Sequence, residues 1–357
     1  MGPLGAGDER GDSFGAARVW RLAPAPVTSL PGLAEALGLG SLTVKRDDLL
    51  VPLCGGSKVR KLDLLLATPR FTAADTWHSV GALGSGHLVT AAGAAAELGH
   101  RFVAHCFWEP PLADVYAKLA YTASVSSEVR AYSSRVALVC RRPDLLVGLD
   151  TRGAAVIPPG ASCAAGAAGM AEGAHELARQ VRSGELPTPD VAVVALGSGG
   201  CAAGLALGLA LAGLPTRVLA IAVVERPLTP SWRLRALIRA AARFMAAHGV
   251  PEAMSAARRA RCQIVRGYVG PGYGRASAAS QAACLRLAPH DLALEPIYTG
   301  KAMAALLALA PRLVGAQVLF WNTTQRALPA APEDWQTKLP PALARRLAAA
   351  LAHTPAA

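Results

Sequence analysis

The chain has 357 residues, 52% of them hydrophobic, with 36 Lys and Arg against 24 Asp and Glu for a formal net charge of +12. That is long enough for two domains around substantial cores. The basic residues are spread along the chain with few aromatics between them, which argues against a nucleic-acid-binding face, and the most apolar run, 191–224, is interrupted by Gly197, Gly199, Gly200, Gly213, Pro215 and Arg217, which argues against a membrane span.

In chain order, residues 1–17 are Gly-rich with charges of both signs, carry no secretory pattern and are expected to be disordered. Residues 41–45 read as a short strand that runs into Arg46-Asp47-Asp48, and a helix is expected over 59–67. Strand 75–80, turn 81–86, helix 88–98 and strand 101–107 make a βαβ unit, and strand 190–195, a glycine turn, helix 202–211 and strand 217–224 make another. Residues 110–142 are poorly periodic. Pro158-Pro159-Gly160 marks a return from a smaller domain to a larger one. Residues 231–248 read as a helix capped by Ser231 and stopped by Gly249, with Arg235, Arg239 and Arg243 on a solvated face; from residue 340 an Ala/Arg helix is expected to have little to hold it. The expected fold is α/β with two open twisted domains: 18–57 with 160–338, then 58–159, and a tail over 339–357. Seven cysteines (54, 106, 140, 163, 201, 262, 284) lack paired C-x-x-C spacing and read as reduced, mostly buried thiols of a cytoplasmic protein.

Three segments carry chemistry. Cys54-Gly55-Gly56-Ser57-Lys58 places a lysine after turn-forming residues at the start of an amphipathic helix, where a loop presents its amine to a buried ligand and the helix end offers amides to an anion. A lysine there is ordinarily a solvated surface residue. Gly197-Ser198-Gly199-Gly200-Cys201 follows an apolar strand and opens a helix, the setting in which backbone N–H groups converge on phosphate; the bland alternative is an empty glycine turn. Tyr273 and Tyr298 sit beside glycines and prolines that fix their loops, as structural tyrosines also do.

Taken together, over roughly 44–327, these segments resemble the family of D-cysteine desulfhydrases and 1-aminocyclopropane-1-carboxylate deaminases, pyridoxal-phosphate enzymes of the tryptophan-synthase-β fold type. The family's K-R-D-D-L and G-G-N-K-x-R-K-L segments fall on Lys45 to Leu49 and on Gly55 to Leu62, its Q-S-N-H on Gly84 to His87, and its G-S-G-G-T on Gly197 to Cys201. Its G-P-x-Y-G tyrosine falls on Tyr273 and its D-P-V-Y-[TE]-G-K on Glu295 to Lys301. The resemblance implies pyridoxal 5'-phosphate held between two domains, with Lys58 as cofactor lysine and base at Cα. Gly197, Ser198, Gly199, Gly200 and Cys201 would hold the phosphate, with Thr299 near the pyridine nitrogen, Ser85 at the substrate carboxylate or in proton transfer, and Tyr273 and Tyr298 as acid–base or substrate-side groups.

Thr299, where the cyclopropane deaminases carry glutamate, leans toward desulfhydrase-like β-elimination, which from cysteine gives keto acid, ammonia and hydrogen sulfide. The alternatives are the cyclopropane deaminase activity or a catalytically weakened binding protein. The latter is suggested by departures from the family: Ser57 and Gly86 in place of asparagines, Cys201 in place of threonine, and Asn322-Thr323-Thr324-Gln325 in place of H-T-G-G. The resemblance further implies a small amino acid as partner, no metal, and a homodimer. His87, at a helix start, reads as a structural or solvent-facing group that could also extend the site.

Overall fold

Alternating runs of Val, Ile, Leu and Ala, each followed by a glycine turn and an alanine-rich helix, assemble into two separate sheets. The computed structural model describes residues 15–110, 113–147, 153–325 and 328–352. Residues 1–14 of the expected disordered segment and 353–357 of the tail therefore lie outside the described residues. The strands are β1 (Val27–Ser29), β2 (Ser41–Arg46), β3 (Thr76–Ala82), β4 (Arg101–Phe107), β5 (Glu128–Tyr132), β6 (Ala155–Ile157), β7 (Val191–Leu196), β8 (Arg217–Ala222), β9 (Cys262–Val265) and β10 (Gln317–Asn322). One sheet has the order β1-β2-β10-β7-β8-β9 and the other β5-β4-β3-β6. All pairs are parallel except β1 with β2. These are the open α/β sheets expected from the βαβ units.

The central strands of the larger sheet are buried on both faces, as parallel strands covered by crossover helices must be. Ala192, Val194 and Leu196 of β7 join one core with the helices Ala164–Arg182 and Gly200–Leu211, while Val191 and Val193 join the opposite core with Val318, Phe320 and the helix Thr299–Leu309. The first two helices approach closely because they meet at glycines. A Cβ at Gly204 would come 2.6 Å from the Met170 Cβ, and one at Gly208 2.7 Å from that of Ala174. β10 lies between β2 and β7, pairing Val318 with Leu42 on one side and with Val191 on the other. The C-terminal part of the chain is thereby brought beside the strand that leads to Lys58.

The smaller sheet packs Trp77, Phe102 and Ala104 against the helix Gly86–Glu97. The last helix, Pro341–Ala352, seats Leu343 and Leu347 in the same core, and the Arg346 guanidinium stacks 3.8 Å above the Trp108 ring. This corrects the expectation that little would hold it: two leucines at i and i+4 provide an apolar stripe that alanine bias hides in the sequence.

Three smaller expectations also change. The helix Ser231–Ala247 has Pro230, not Ser231, in its cap position, because proline's fixed φ of −72° there already sets the entry of the chain. Its Arg235, Arg239 and Arg243 are exposed, as expected. The poorly periodic 110–142 region contains the helix Ala113–Val125, β5 and the helix Arg135–Arg141; β5 is an edge strand that buries only Val129, so it carries no alternating pattern. None of the seven cysteines forms a disulfide, yet only Cys54 and Cys106 are buried, and Cys140 is exposed.

Candidate active site

Lys58 is the second residue of the helix Ser57–Leu66, and a buried polar network fixes where that helix starts. Asp47, just after β2, accepts hydrogen bonds from Ser57 Oγ (2.6 Å), Arg60 Nε (3.0 Å) and Trp321 Nε1 (2.7 Å). Arg60 reaches on to Glu176 at 2.8 Å, and Glu176 also pairs with Lys45. Ser57 therefore turns away from the site and serves the network. Gly55 and Gly56, with φ of +68° and +84°, make the turn, and the chain passes so close that a Cβ at Gly56 would lie 2.8 Å from Thr324 O. The Lys58 amine, half-buried, is pulled down to about 8 by burial and by the nearby Lys61 ammonium. Among the described residues no acceptor holds it, whereas Lys45, Lys61 and Lys301 are all tied to acceptors.

The glycine loop after β7 forms a cradle. Gly199 caps the helix Gly200–Leu211 with φ +98°, Gly200 N donates to Ser162 Oγ at 3.0 Å, and Ser162 Oγ meets Ser198 Oγ at 2.7 Å. Lys61, 3% exposed, donates to Gly160 O at 2.6 Å and lies 2.9 Å from where a Cβ on Gly200 would be. The loop thus combines a helix N-terminus, two hydroxyls and an ammonium, which together suit a dianionic phosphate. Cys201 is half-buried in the first turn of this helix. Sequence reasoning missed Lys61 and Ser162. Lys61 lies on the same helix as Lys58, one turn on, and its spacing was available; Ser162 gave no signal.

Tyr298 packs over the loop, with its Cε1 3.0 Å from a Cβ placed on Gly197, and its hydroxyl donates to that of Tyr273 at 3.2 Å. The structure thus joins the two tyrosines to each other and to the glycine loop. Burial raises Tyr273 to about 12 and Tyr298 well above its ordinary value, so both phenols hold their protons. Thr299 opens the helix Thr299–Leu309, where its hydroxyl accepts from Glu295 N at 2.9 Å and meets Thr324 Oγ1 at 3.2 Å. Ser85 caps the helix Gly86–Glu97, accepting from Leu88 N at 3.4 Å. Glu109, also missed, accepts from Gly84 N at 2.5 Å, and burial raises its carboxyl.

His87 does not face solvent. It is buried, its Nε2 lies 2.8 Å from Ser79 Oγ, and burial with the Lys58 and Lys61 charges pulls it down to about 3, so it is neutral. Gly86, beside it, lies where a Cβ would be 3.8 Å from Lys58 Nζ.

These residues fit a phosphorylated aldehyde: an amine that is partly neutral near pH 8 for the carbonyl, and a cationic cradle for the phosphate.

The model of the family described as pyridoxal-phosphate dependent enzyme matches residues 21–324. A D-cysteine desulfhydrase of Salmonella paratyphi B is 33% identical over 295 residues, covering 80% of this chain and 85% of that protein. A crystal structure of an ACC deaminase homologue superposes with a TM-score of 0.73 at 28% identity, covering 87% of this chain and 92% of that one. A fungal L-serine ammonia-lyase from Rhizomucor miehei shares the fold, with a TM-score of 0.57 at 14% identity over 86% of this chain and 94% of that one. Among the described residues no helix is long and apolar enough to cross a membrane.

Proposed function

The chain belongs to the family of pyridoxal-phosphate dependent enzymes, as a lyase or deaminase using that cofactor, and we propose that it eliminates the β-substituent of a small amino acid of the D-cysteine type. From cysteine the products are pyruvate, ammonia and hydrogen sulfide. The observation that carries this reading is the Lys58 amine, held by no acceptor among the described residues and lowered to about 8, on the same helix as Lys61, which stands at the glycine cradle.

Bound pyridoxal phosphate supplies an electron sink for the charge left at the substrate Cα. Lys58 would hold the cofactor through its aldehyde carbon, and its amine, when free, would act as the base at the substrate Cα. Gly197, Ser198, Gly199, Gly200 and Cys201 would hold the phosphate through backbone amides and the Ser198 hydroxyl, with Ser162 and Lys61 completing the cradle. Thr299 would stand near the pyridine nitrogen with a hydroxyl in place of a carboxylate, which would favour elimination without a permanently protonated ring. Ser85, at the N-terminus of its helix, takes the substrate carboxylate or relays a proton. Tyr298 and Tyr273, joined through their hydroxyls, would serve as acid–base or substrate-side groups. The partner is a small amino acid and no nucleic acid; the free cysteines suit the cytoplasm, and the assembly is a homodimer, as in the family it resembles.

The pH dependence follows from Lys58. A lysine attacks an aldehyde only as the neutral amine, so the rate at which cofactor-free protein captures pyridoxal phosphate rises with pH and levels off above about 8. Stopped-flow absorbance between pH 6 and pH 10 measures this, and a rate still climbing steeply at pH 10 contradicts the placement of Lys58.

The substrate is tested by assaying sulfide and pyruvate from D-cysteine and L-cysteine, and keto acid from 1-aminocyclopropane-1-carboxylate. Sulfide from D-cysteine ahead of the others is expected. Keto acid from the cyclopropane alone would transfer the assignment to the deaminase, and a coloured protein inert to all three would favour a binding role.

A further inference from the structure

Gly86 opens its helix without a side chain, and another residue fills the space. A Cβ on Gly86 would overlap Gln325 Oε1, and the same point lies 3.8 Å from Lys58 Nζ. The Gln325 carboxamide therefore stands beside the Lys58 amine in the volume that a side chain at position 86 would take. Its stem rests on the turn before Lys58, with Gln325 Cγ 3.2 Å from a Cβ placed on Gly56.

The orientation of the amide is fixed. Thr90 Oγ1 donates its single hydrogen to Gly86 O at 3.0 Å, so it can only accept from Gln325 Nε2, which it does at 2.7 Å. Oε1 then faces Gly86, and one amide hydrogen is left uncommitted by the Thr90 bond. Pyridoxal phosphate carries a hydroxyl ortho to its aldehyde, so that hydroxyl oxygen comes to rest beside whatever flanks the amine that binds the aldehyde.

Resting on the cofactor reading above, we propose that Gln325 is a cofactor-binding residue whose carboxamide hydrogen-bonds the ring hydroxyl oxygen of pyridoxal phosphate, and that Gly86 is glycine because this amide arrives from the C-terminal loop.

The test uses purified full-length protein with pyridoxal phosphate in four forms: wild type, Gln325→Ala, Gly86→Asn, and the double variant. Cofactor dissociation is read by tryptophan fluorescence quenching, and the pH titration of the bound chromophore by absorbance. A hydrogen bond to a charged oxygen contributes about 1.5–3 kcal/mol, so Gln325→Ala weakens cofactor binding roughly 10- to 100-fold and shifts the chromophore titration. Gly86→Asn alone also weakens binding, because its side chain meets Gln325. The double variant, with room for the new amide, recovers most of the affinity and the wild-type titration. Should Gly86→Asn not fold, Gln325→Glu replaces the donor at constant size and is expected to weaken binding at least as much as Gln325→Ala. Unchanged affinity and titration in Gln325→Ala, or a double variant no better than either single one, overturns the proposal while leaving the cofactor reading intact. A wild type that gains no colour with pyridoxal phosphate overturns the cofactor reading and this proposal with it.

Discussion

Lys58→Ala is expected to purify without the visible absorbance of bound pyridoxal phosphate and to lose turnover by about 10²–10⁴-fold from the missing proton transfer alone, with further loss from weaker cofactor retention. The structure singles out this lysine on physical grounds. Lys45 is tied to Ala25 O, Lys61 to Gly160 O and Lys301 to Val269 O, and each would have to give up an acceptor to attack a carbonyl. Lys58 gives up no acceptor among the described residues, and its amine, lowered to about 8, is partly neutral at physiological pH. Borohydride reduction of the loaded wild type followed by peptide mapping should place the pyridoxyl group on Lys58. A label on Lys61, or a Lys58→Ala protein that stays coloured through dialysis and turns over, would sink the assignment.

Asp47→Ala is expected to lower stability by about 3–5 kcal/mol, the cost of removing one partner from a buried charged network. Asp47 is fully buried and accepts from Ser57, Arg60 and Trp321 together, which joins β2, β10 and the Lys58 helix. Its loss leaves the Arg60 guanidinium, 4% exposed, with Glu176 as its only carboxylate partner among the described residues. The urea midpoint measures the loss, and a midpoint equal to that of the wild type would show that the network does not stabilise the fold. Because Asp47 also sets the start of the Lys58 helix, pyridoxal phosphate affinity is expected to fall even at temperatures where the variant remains folded. Ser57→Ala removes one hydrogen bond from a neutral donor to the Asp47 carboxylate and should cost about 1.5–3 kcal/mol, less than loss of the carboxylate itself, which separates the role of the charge from that of the hydroxyl.

Much of the fold was legible because parallel strands and their helices announce themselves locally. The alternation around 75–107 and 190–224 depends on neighbours within one βαβ unit, and the glycine loop after β7 and the Lys58 turn depend on residues a few positions apart. The last helix was misjudged for the opposite reason: Leu343 and Leu347 join the core that also holds Trp77 and Phe102 of the smaller sheet, far away in sequence. Ser57 was counted as a departure in the site, whereas its hydroxyl is committed to Asp47 and does not face the site.

The sequence by itself determined the family and the cofactor, and it marked the loops proposed to carry the chemistry, because a Schiff-base lysine, a phosphate loop and loop-fixed tyrosines each need particular residue types within a short span. Only the tertiary structure decided what surrounds them. Sheet order places β10 between β2 and β7, so the loop after β10 meets the Gly56 turn and the Ser85 helix, and Gln325 reaches Thr90 across 235 residues. Strand order and side-chain packing at that separation are set by burial of the whole core and leave no periodic trace in the chain. Gly86 reads in sequence as a missing side chain, and in the folded protein as the space that another residue fills.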